Sequence, residues 1–337
     1  MNGAYLASTP LQWASALRRR VANRSSQLPA ASISVGNLAL GGRGKTPMVA
    51  ALAQEAESRG LSVVVLTRGY GGTVRSGTEP VVLQSTAPQP DIACWLSMLS
   101  DGHSSATAAS FAQRCGDEPA WLASRCPQAR IAIHPDRRQA AAVAHAQQQV
   151  DLFILDDGFQ TSVARDLDLV LLDPHRDPPF ARRAACRESA VALSAAHRVA
   201  LIDADRRWDD AESALVLRRT AVALRRLSDG VHANPKAQPP VQVAAAVGQP
   251  SSVTRCARDL GLTVRGEIRI RDHGRPSRSQ LKKMNRDRSE LLLVTEKDAM
   301  GWASQHPELS NRTLVLEMAL TGGRRLAMQV LDELHDN

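Results

Sequence analysis

Short apolar runs recur along the first two thirds of the chain: Ser32–Val35, Val63–Leu66, Ile131–Ile133, Leu152–Leu155, Leu169–Leu172 and Val199–Ile202. Such runs read as strands, and Leu152–Leu155, Leu169–Leu172 and Val199–Ile202 as strands of the buried type. Between them the apolar spacing changes to that of helices, over Thr46–Ser58, from Glu118-Pro119 onward, and over 137–149. Strands alternating with helices predict an α/β fold with a mostly parallel sheet and helices on both faces. A turn-rich stretch over 228–241 reads as a linker zone. Beyond it Val241–Val247, Leu262–Ile270, Leu291–Thr295 and Leu314–Leu316 predict the strands of a smaller α/β unit. The expected organisation is an N-terminal helix within 1–24, a core over 25–227, the linker, and a C-terminal domain over 242–337. Residues 84–112, rich in Ser, Ala, Thr and Pro, read as a loop or a poorly specified helical insert.

Residues 9–24 carry a stripe of Leu11, Ala14, Leu17 and Val21, a cap at Thr9 and a basic end at Arg18–Arg20. This pattern suits a helix lying in a membrane interface, or one docked on its own domain with the basic end favoured by the helix dipole. No run of about 18 apolar residues is present, and no secretory signal is recognised.

The 337 residues are 43% hydrophobic, enough for a sizeable core, so disorder is excluded as the main state. The 42 Lys and Arg against 34 Asp and Glu give a net charge of +8, which favours anionic partners without choosing among them. Five cysteines without CxxC spacing support neither a zinc ribbon nor a disulfide framework. Only 5 Trp, 2 Tyr and 4 Phe are present and none forms a stacking array, which argues against a nucleic-acid-dependent ATPase.

Gly41-Gly42-Arg43-Gly44-Lys45-Thr46 follows a predicted strand and opens a predicted helix, the context of a phosphate-binding loop. Glycines let backbone N–H groups converge on phosphate oxygens, and the helix N-terminus adds partial positive charge. Lys45 can reach the β- and γ-phosphates, and the Thr46 hydroxyl can ligate Mg²⁺. Ala39 stands where the strict motif has Gly, so the loop is a variant. The dinucleotide fingerprint fails because Pro47 occupies its third glycine position. Arg43 either adds a phosphate contact or points to solvent. Leu152–Leu155 ends in Asp156 and Asp157, as a Walker B strand does, which puts a carboxylate at the sheet edge near phosphate and Mg²⁺. The class reached from these residues is phosphoryl transfer or nucleotide hydrolysis.

Taken in order, the motifs resemble the tetraacyldisaccharide 4′-kinase family of lipid A biosynthesis. The matching segments are Ser34–Pro47, Thr67–Gly72, Gly116-Asp-Glu-Pro119, Leu155–Gln160 with Arg165–Asp168, Asp272-His273 and Thr295–Ala299. The resemblance implies transfer of the γ-phosphate of ATP, with Mg²⁺, to the 4′-hydroxyl of a tetraacylated glucosamine disaccharide 1-phosphate. It implies a peripheral enzyme at the cytoplasmic face of the bacterial inner membrane, expected as a monomer on an anionic membrane surface. It turns the N-terminal helix toward the membrane reading.

Carried over by position, Asp117 and His273 form a catalytic dyad. Glu118, Asp156 and Asp157 supply carboxylates for Mg²⁺ or its waters, while Gln160, Arg187 and Glu188 lie in the same pocket. The adenine pocket is guessed near Thr295–Asp298. Without the resemblance, Asp117 reads as a helix cap and His273 as a loop histidine. The chain departs from the family at Thr161, usually His, and at Gly274. It departs also over residues 178–189, where only Arg187-Glu188 is recognisable. A nucleotide-binding protein that has lost catalysis, or a kinase with another acceptor, is the alternative those departures raise.

Overall fold

The computed structural model describes residues 27–74, 78–83, 115–180, 186–205, 215–272, 274–286 and 289–336. The expected N-terminal helix, residues 84–112 and His273 lie outside the described residues.

The first half follows the predicted alternation. Strand β1 (Ala31–Gly36) leads through the glycine loop into helix α1 (Lys45–Ser58), then β2 (Val63–Thr67) and a short β3 (Val81–Leu83). Helix α2 (Asp117–Arg125), β4 (Arg130–Ile133), α3 (Arg137–Gln147), β5 (Leu152–Asp156), β6 (Leu167–Leu172) and β7 (Arg198–Ile202) follow. Strands β1, β2, β5 and β6 are buried almost throughout, as parallel strands covered on both faces must be. The alanine-rich α1 brings Met48, Val49, Leu52 and Ala53 wholly into the core.

The second half contains β8 (Leu215–Arg226), β9 (Val241–Ala245), α4 (Pro250–Asp259), β10 (Val264–Arg269), α5 (Arg278–Arg286), β11 (Leu291–Thr295), α6 (Glu296–Gly301), β12 (Thr313–Thr321) and α7 (Gly323–Asp336). Among the described residues the strands join in one 12-stranded sheet of order β10-β9-β11-β12-β8-β7-β6-β1-β5-β2-β4-β3. Pairing is parallel except at β12/β8 and β3/β4.

Strand β8, which the apolar pattern did not reveal, joins the halves. Its start pairs with β7, Ala200 opposite Leu215, and its remainder pairs with β12, Thr321 opposite Arg218 and Leu314 opposite Arg226. The arginines in Leu-Val-Leu-Arg-Arg-Thr-Ala-Val-Ala-Leu-Arg-Arg hide its period, and two of them are held by carboxylates across the sheet: Arg225 by Glu317 and Arg219 by Asp203. Helix α7 returns to pack on α1, where Arg59 binds Asp332 at 2.7 Å.

The topology dictates where the site lies. Strand β1 sits between β5 and β6, so the chain leaves β1 at a point where its neighbours' connections diverge, the crevice where α/β sheets take ligands. The register sets Val35 opposite Asp156, which brings the acid at the end of β5 beside the start of the glycine loop.

Candidate active site

Backbone geometry and one buried ion pair shape the glycine loop. Gly44, the residue before α1, has φ 74° and lies so close to Ile202 that a β-carbon there would come within 2.4 Å of its Cδ1, so only glycine fits. Arg43 departs from both sequence expectations for its side chain. It is fully buried, and its guanidinium forms a two-pronged pair with Asp177, Nε to Oδ2 and Nη2 to Oδ1, both at 2.7 Å. The side chain therefore neither reaches a phosphate nor points to solvent, because Asp177, itself buried, needs that cation. Asp177 also accepts from the Asp173 N–H at 2.9 Å, which ties the loop to the turn after β6.

Asn37, just past β1, organises the cationic side. Its Oδ1 accepts from Lys45 Nζ at 3.2 Å and from Arg187 Nη2 at 3.0 Å, while its carbonyl accepts from Gln160 Nε2 at 2.7 Å. Residues 186–188 run antiparallel beside Leu38-Ala39, and the Arg187 and Glu188 N–H groups donate to the Leu38 carbonyl. This places Arg187 in a two-pronged pair with Asp157, at 2.8 and 2.9 Å. Lys45 reaches the same carboxylate at 3.4 Å. Burial opposes ionisation of Asp157, but Lys45 and Arg187 outweigh it and hold its carboxyl well below the usual range. These partners also hold Asp157 at φ 56°, a left-handed conformation that is costly for a residue with a side chain.

Asp156 behaves oppositely. Burial, reinforced by the negative charges of Glu118 and Asp157, pushes its carboxyl up to about 7 against the pull of Lys45 and Arg137. Thr46 Oγ1 lies 3.4 Å from Asp156 Oδ2, whereas Asp156 Oδ1 is buried and has no hydrogen-bond partner among the described residues. An orphaned carboxylate oxygen beside a hydroxyl and a second acid fits a divalent cation. Mg²⁺ characteristically takes one or two carboxylates plus phosphate oxygens and water rather than an all-protein cage. The described residues contain no group of three or more His, Cys, Asp or Glu that could hold a metal ion by themselves. Buried Arg137 lies behind this centre with Nη2 3.3 Å from the Asp156 carbonyl. Burial and the like charge of Arg68 lower its guanidinium to about 10.

A second charged cluster faces the first from the other half of the sheet. Lys297, the second residue of α6, places Nζ 3.5 Å from Asp117 Oδ2, 3.4 Å from Glu118 Oε1 and 4.0 Å from Asp272 Oδ1. Burial disfavours its charge, but Glu118, Asp117 and Asp272 more than compensate and hold the ammonium above its ordinary range. Asp117 is the first residue of α2 and accepts the Glu118 N–H at 2.9 Å, so it serves the helix end as well as Lys297.

Both clusters border one cavity of about 410 Å³. Its walls include the glycine loop, Lys45, Thr46, Asp156, Asp157, Arg187, Glu118, Asp272 and Lys297, and an apolar end made by Trp121, Val247, Val253, Leu316 and Met318. The turn after β9 closes over the loop. A β-carbon on Gly248 would meet Gly42 N at 2.2 Å and Gly41 Cα at 2.8 Å. Asp298 anchors that turn, accepting from Ala246 N at 2.8 Å, Trp302 Nε1 at 2.9 Å and Thr295 Oγ1 at 2.6 Å. Asp298 is thus buried in a structural network, while Thr295, Glu296 and Lys297 border the cavity.

A family profile described as Tetraacyldisaccharide-1-P 4'-kinase matches residues 5–91 and 98–335. The chain belongs to this family. A tetraacyldisaccharide 4'-kinase of Anaeromyxobacter dehalogenans strain 2CP-1 is 34% identical over 88% of this chain and 79% of that protein. Its counterpart in strain 2CP-C is 38% identical over 58% of this chain, a stretch spanning half of that relative's length. The fold is shared with a crystal structure of LpxK from Aquifex aeolicus in complex with ATP, with a TM-score of 0.63 over 96% of this chain and 95% of that one, at 20% identity.

Within this family member, Gly41, Gly42, Arg43, Gly44, Lys45, Thr46, Glu118, Asp156, Asp157 and Arg187 all line the cavity, Arg43 through the loop it belongs to. Asp117 stands immediately behind Glu118 and Lys297, its side chain 16% exposed. Gln160 and Glu188 do not line the cavity as expected. Both are buried, Gln160 holding Asn37 and Glu188 backing the strip that carries Arg187. His273 lies outside the described residues. Lys297 and Arg137 were missed. Lys297 was visible only as part of a weak motif, and Arg137 reads in sequence as an ordinary first residue of a helix.

Proposed function

We propose that this chain transfers the γ-phosphate of ATP to the 4′-hydroxyl of a tetraacylated glucosamine disaccharide 1-phosphate. The observation that carries this reading is the facing of two charged clusters across one cavity. Lys45, Thr46 and Asp156 stand on the phosphate side, and Glu118 and Lys297 in front of Asp117 on the other.

In this reading the N–H groups of the glycine loop and the start of α1 bind the β- and γ-phosphates, and Lys45 follows the charge of the transferred group. Thr46 and Asp156, with Glu118 opposite, would hold Mg²⁺, which when bound neutralises developing charge on the phosphate oxygens. Lys45 exchanges part of its contact with Asp157 for phosphate, while Arg187 keeps Asp157 paired. An alcohol has a pKa far above 7, so its proton needs an acceptor as the oxygen attacks phosphorus. Asp117, acting with His273, receives that proton, and Lys297, with Nζ 3.5 Å from Asp117 Oδ2, holds the Asp117 carboxylate in place. The hydroxyl oxygen gains the phosphoryl group and ADP leaves from the loop. The apolar end at Leu316, Met318 and Val247 suits the adenine ring, with the unit over 242–337 closing on the nucleotide.

The chain is read as a monomer, peripheral at the cytoplasmic face of the inner membrane. No described helix is long and apolar enough to cross a bilayer. The test is transfer from γ-labelled ATP to the tetraacyl disaccharide 1-phosphate in mixed micelles. Mg²⁺-dependent labelling of the lipid is expected. An ATP-binding protein that labels no lipid would exclude this acceptor.

A further inference from the structure

The positive charge of this chain is not spread evenly. Between residues 264 and 286 stand eight Lys and Arg against two Asp and Glu, a net of +6 out of the +8 of the whole chain. Elsewhere the cationic side chains are largely committed: Arg43 to Asp177, Arg187 to Asp157, Arg219 to Asp203, Arg225 to Glu317 and Arg59 to Asp332. Arg271, Arg275, Arg278, Lys282, Lys283 and Arg286, by contrast, are all exposed, and none of the six pairs with a carboxylate among the described residues. The two acids of the stretch are occupied, Asp272 by Lys297 and Glu267 by Thr254 Oγ1 at 2.6 Å.

The helix that presents these charges is anchored to the fold. Helix α5 is pinned by buried Met284 and half-buried Leu281. Its start is held by reciprocal contacts between Ser277 and Gln280 and by Gln280 Nε2 on the Arg269 carbonyl at 2.7 Å. With its apolar residues turned inward, the helix offers charge and no insertion wedge. The stretch lacks Phe, Tyr and Trp, so it has nothing on which nucleic-acid bases could stack. It also joins the cavity directly, since Asp272 lines the wall six residues before α5 begins.

We infer that α5, together with exposed Arg271 and Arg275, forms a docking surface for an anionic bilayer, which sets the cavity mouth against the lipid headgroups. Naming a bilayer rests on the reading of the acceptor as a membrane lipid. The attraction is electrostatic, falls off within a Debye length and weakens with salt.

The test uses the full chain and a K282E/K283E/R286E variant, none of whose positions borders the cavity. Both are partitioned onto vesicles of phosphatidylcholine with or without about a third phosphatidylglycerol. Each Lys or Arg near an anionic surface is worth about fivefold in affinity, so losing three and replacing them with acids is expected to weaken binding to anionic vesicles by at least about 100-fold. Its melting temperature and phosphotransfer in neutral detergent micelles should stay unchanged. Binding within about twofold of the parent, or a parent that binds pure phosphatidylcholine equally well, overturns the surface. Loss of affinity for duplex DNA with vesicle binding intact would reassign it to nucleic acid and also overturn it. If neither protein phosphorylates lipid in micelles, the acceptor reading fails, while vesicle partitioning still decides the surface.

Discussion

Lys297 Nζ lies 3.5 Å from Asp117 Oδ2, although the two residues come from opposite halves of the sheet. Helix α6 packs against α2, and the ammonium serves Asp117, Glu118 and Asp272 together. The contact couples Asp117 to the unit carrying Gly248 and Met318. Lys297→Met is expected to lower kcat by about 10- to 100-fold while KM for ATP changes less than about threefold. Loss of an adjacent cation raises a carboxylate's pKa, so the acid limb of the kcat–pH profile should move to higher pH. Lys297→Arg should restore part of both. A purely structural role would leave the profile in place.

Removing the phosphate-side cation or the base should abolish turnover without unfolding the chain. Lys45→Ala and Asp117→Ala are each expected to cost at least about 10²- to 10³-fold in kcat. Asp157 keeps Arg187 when Lys45 is gone, so the melting temperature should fall by only a few degrees. Near-normal turnover in either folded variant rejects the assignment of that residue.

Asp156 offers a test through pH. Its carboxyl is pushed up to about 7, chiefly by burial, from an ordinary value of 3.8. Between those values folding takes up a proton, so this group's effect on stability becomes less favourable as pH rises and reaches its full cost above about pH 7. Asp156→Asn should therefore stabilise the ligand-free protein at pH 8, by on the order of a few kcal/mol, and much less at pH 4. Urea unfolding at the two pH values measures this. Mg·ATP should release a proton on binding near pH 6 and none at pH 8.5, as calorimetry in buffers of different ionisation enthalpy reports.

The buried pair of Arg43 and Asp177 predicts an asymmetric mutational response. Arg43→Ala leaves a carboxylate buried without its cation and is expected to destabilise by about 3–5 kcal/mol. Combining Arg43→Met with Asp177→Leu should recover part of that loss, with the Asp173 N–H still lacking its acceptor. Equal losses for the single and double variants in equilibrium denaturation would contradict the pairing.

Gly248→Ala tests the closure of the turn over the phosphate loop. The added methyl would overlap the Gly42 and Gly41 backbone. KM for ATP should rise by about tenfold or more, with the global melting temperature little affected. An unchanged KM would mean that the two loops separate without cost.

The strands of the parallel half were legible because a doubly covered strand is apolar at every position, as in Leu-Phe-Ile-Leu at β5 and Val-Val-Val-Leu at β2. Strand β8 was not, because its arginines are matched by acids such as Glu317 and Asp203 that only folding brings beside them. The places of Arg43, paired with Asp177, and Gln160, bonded to the Asn37 carbonyl, differ from expectation for the same reason. A polar residue next to a motif looks functional until its buried partner is known.

Residue order alone carries the α/β class, the glycine loop, the acid at the end of β5 and the family. Each depends on local spacing or on residue order, which a linear text carries. Folding is what leaves an Asp156 oxygen unsatisfied, neutralises Asp157 with Lys45 and Arg187, and gathers three acids around Lys297. Those properties come from burial and from charges brought within 4 Å by strand register and helix packing. Charge energies vary with distance and surroundings, neither of which the order of residues records.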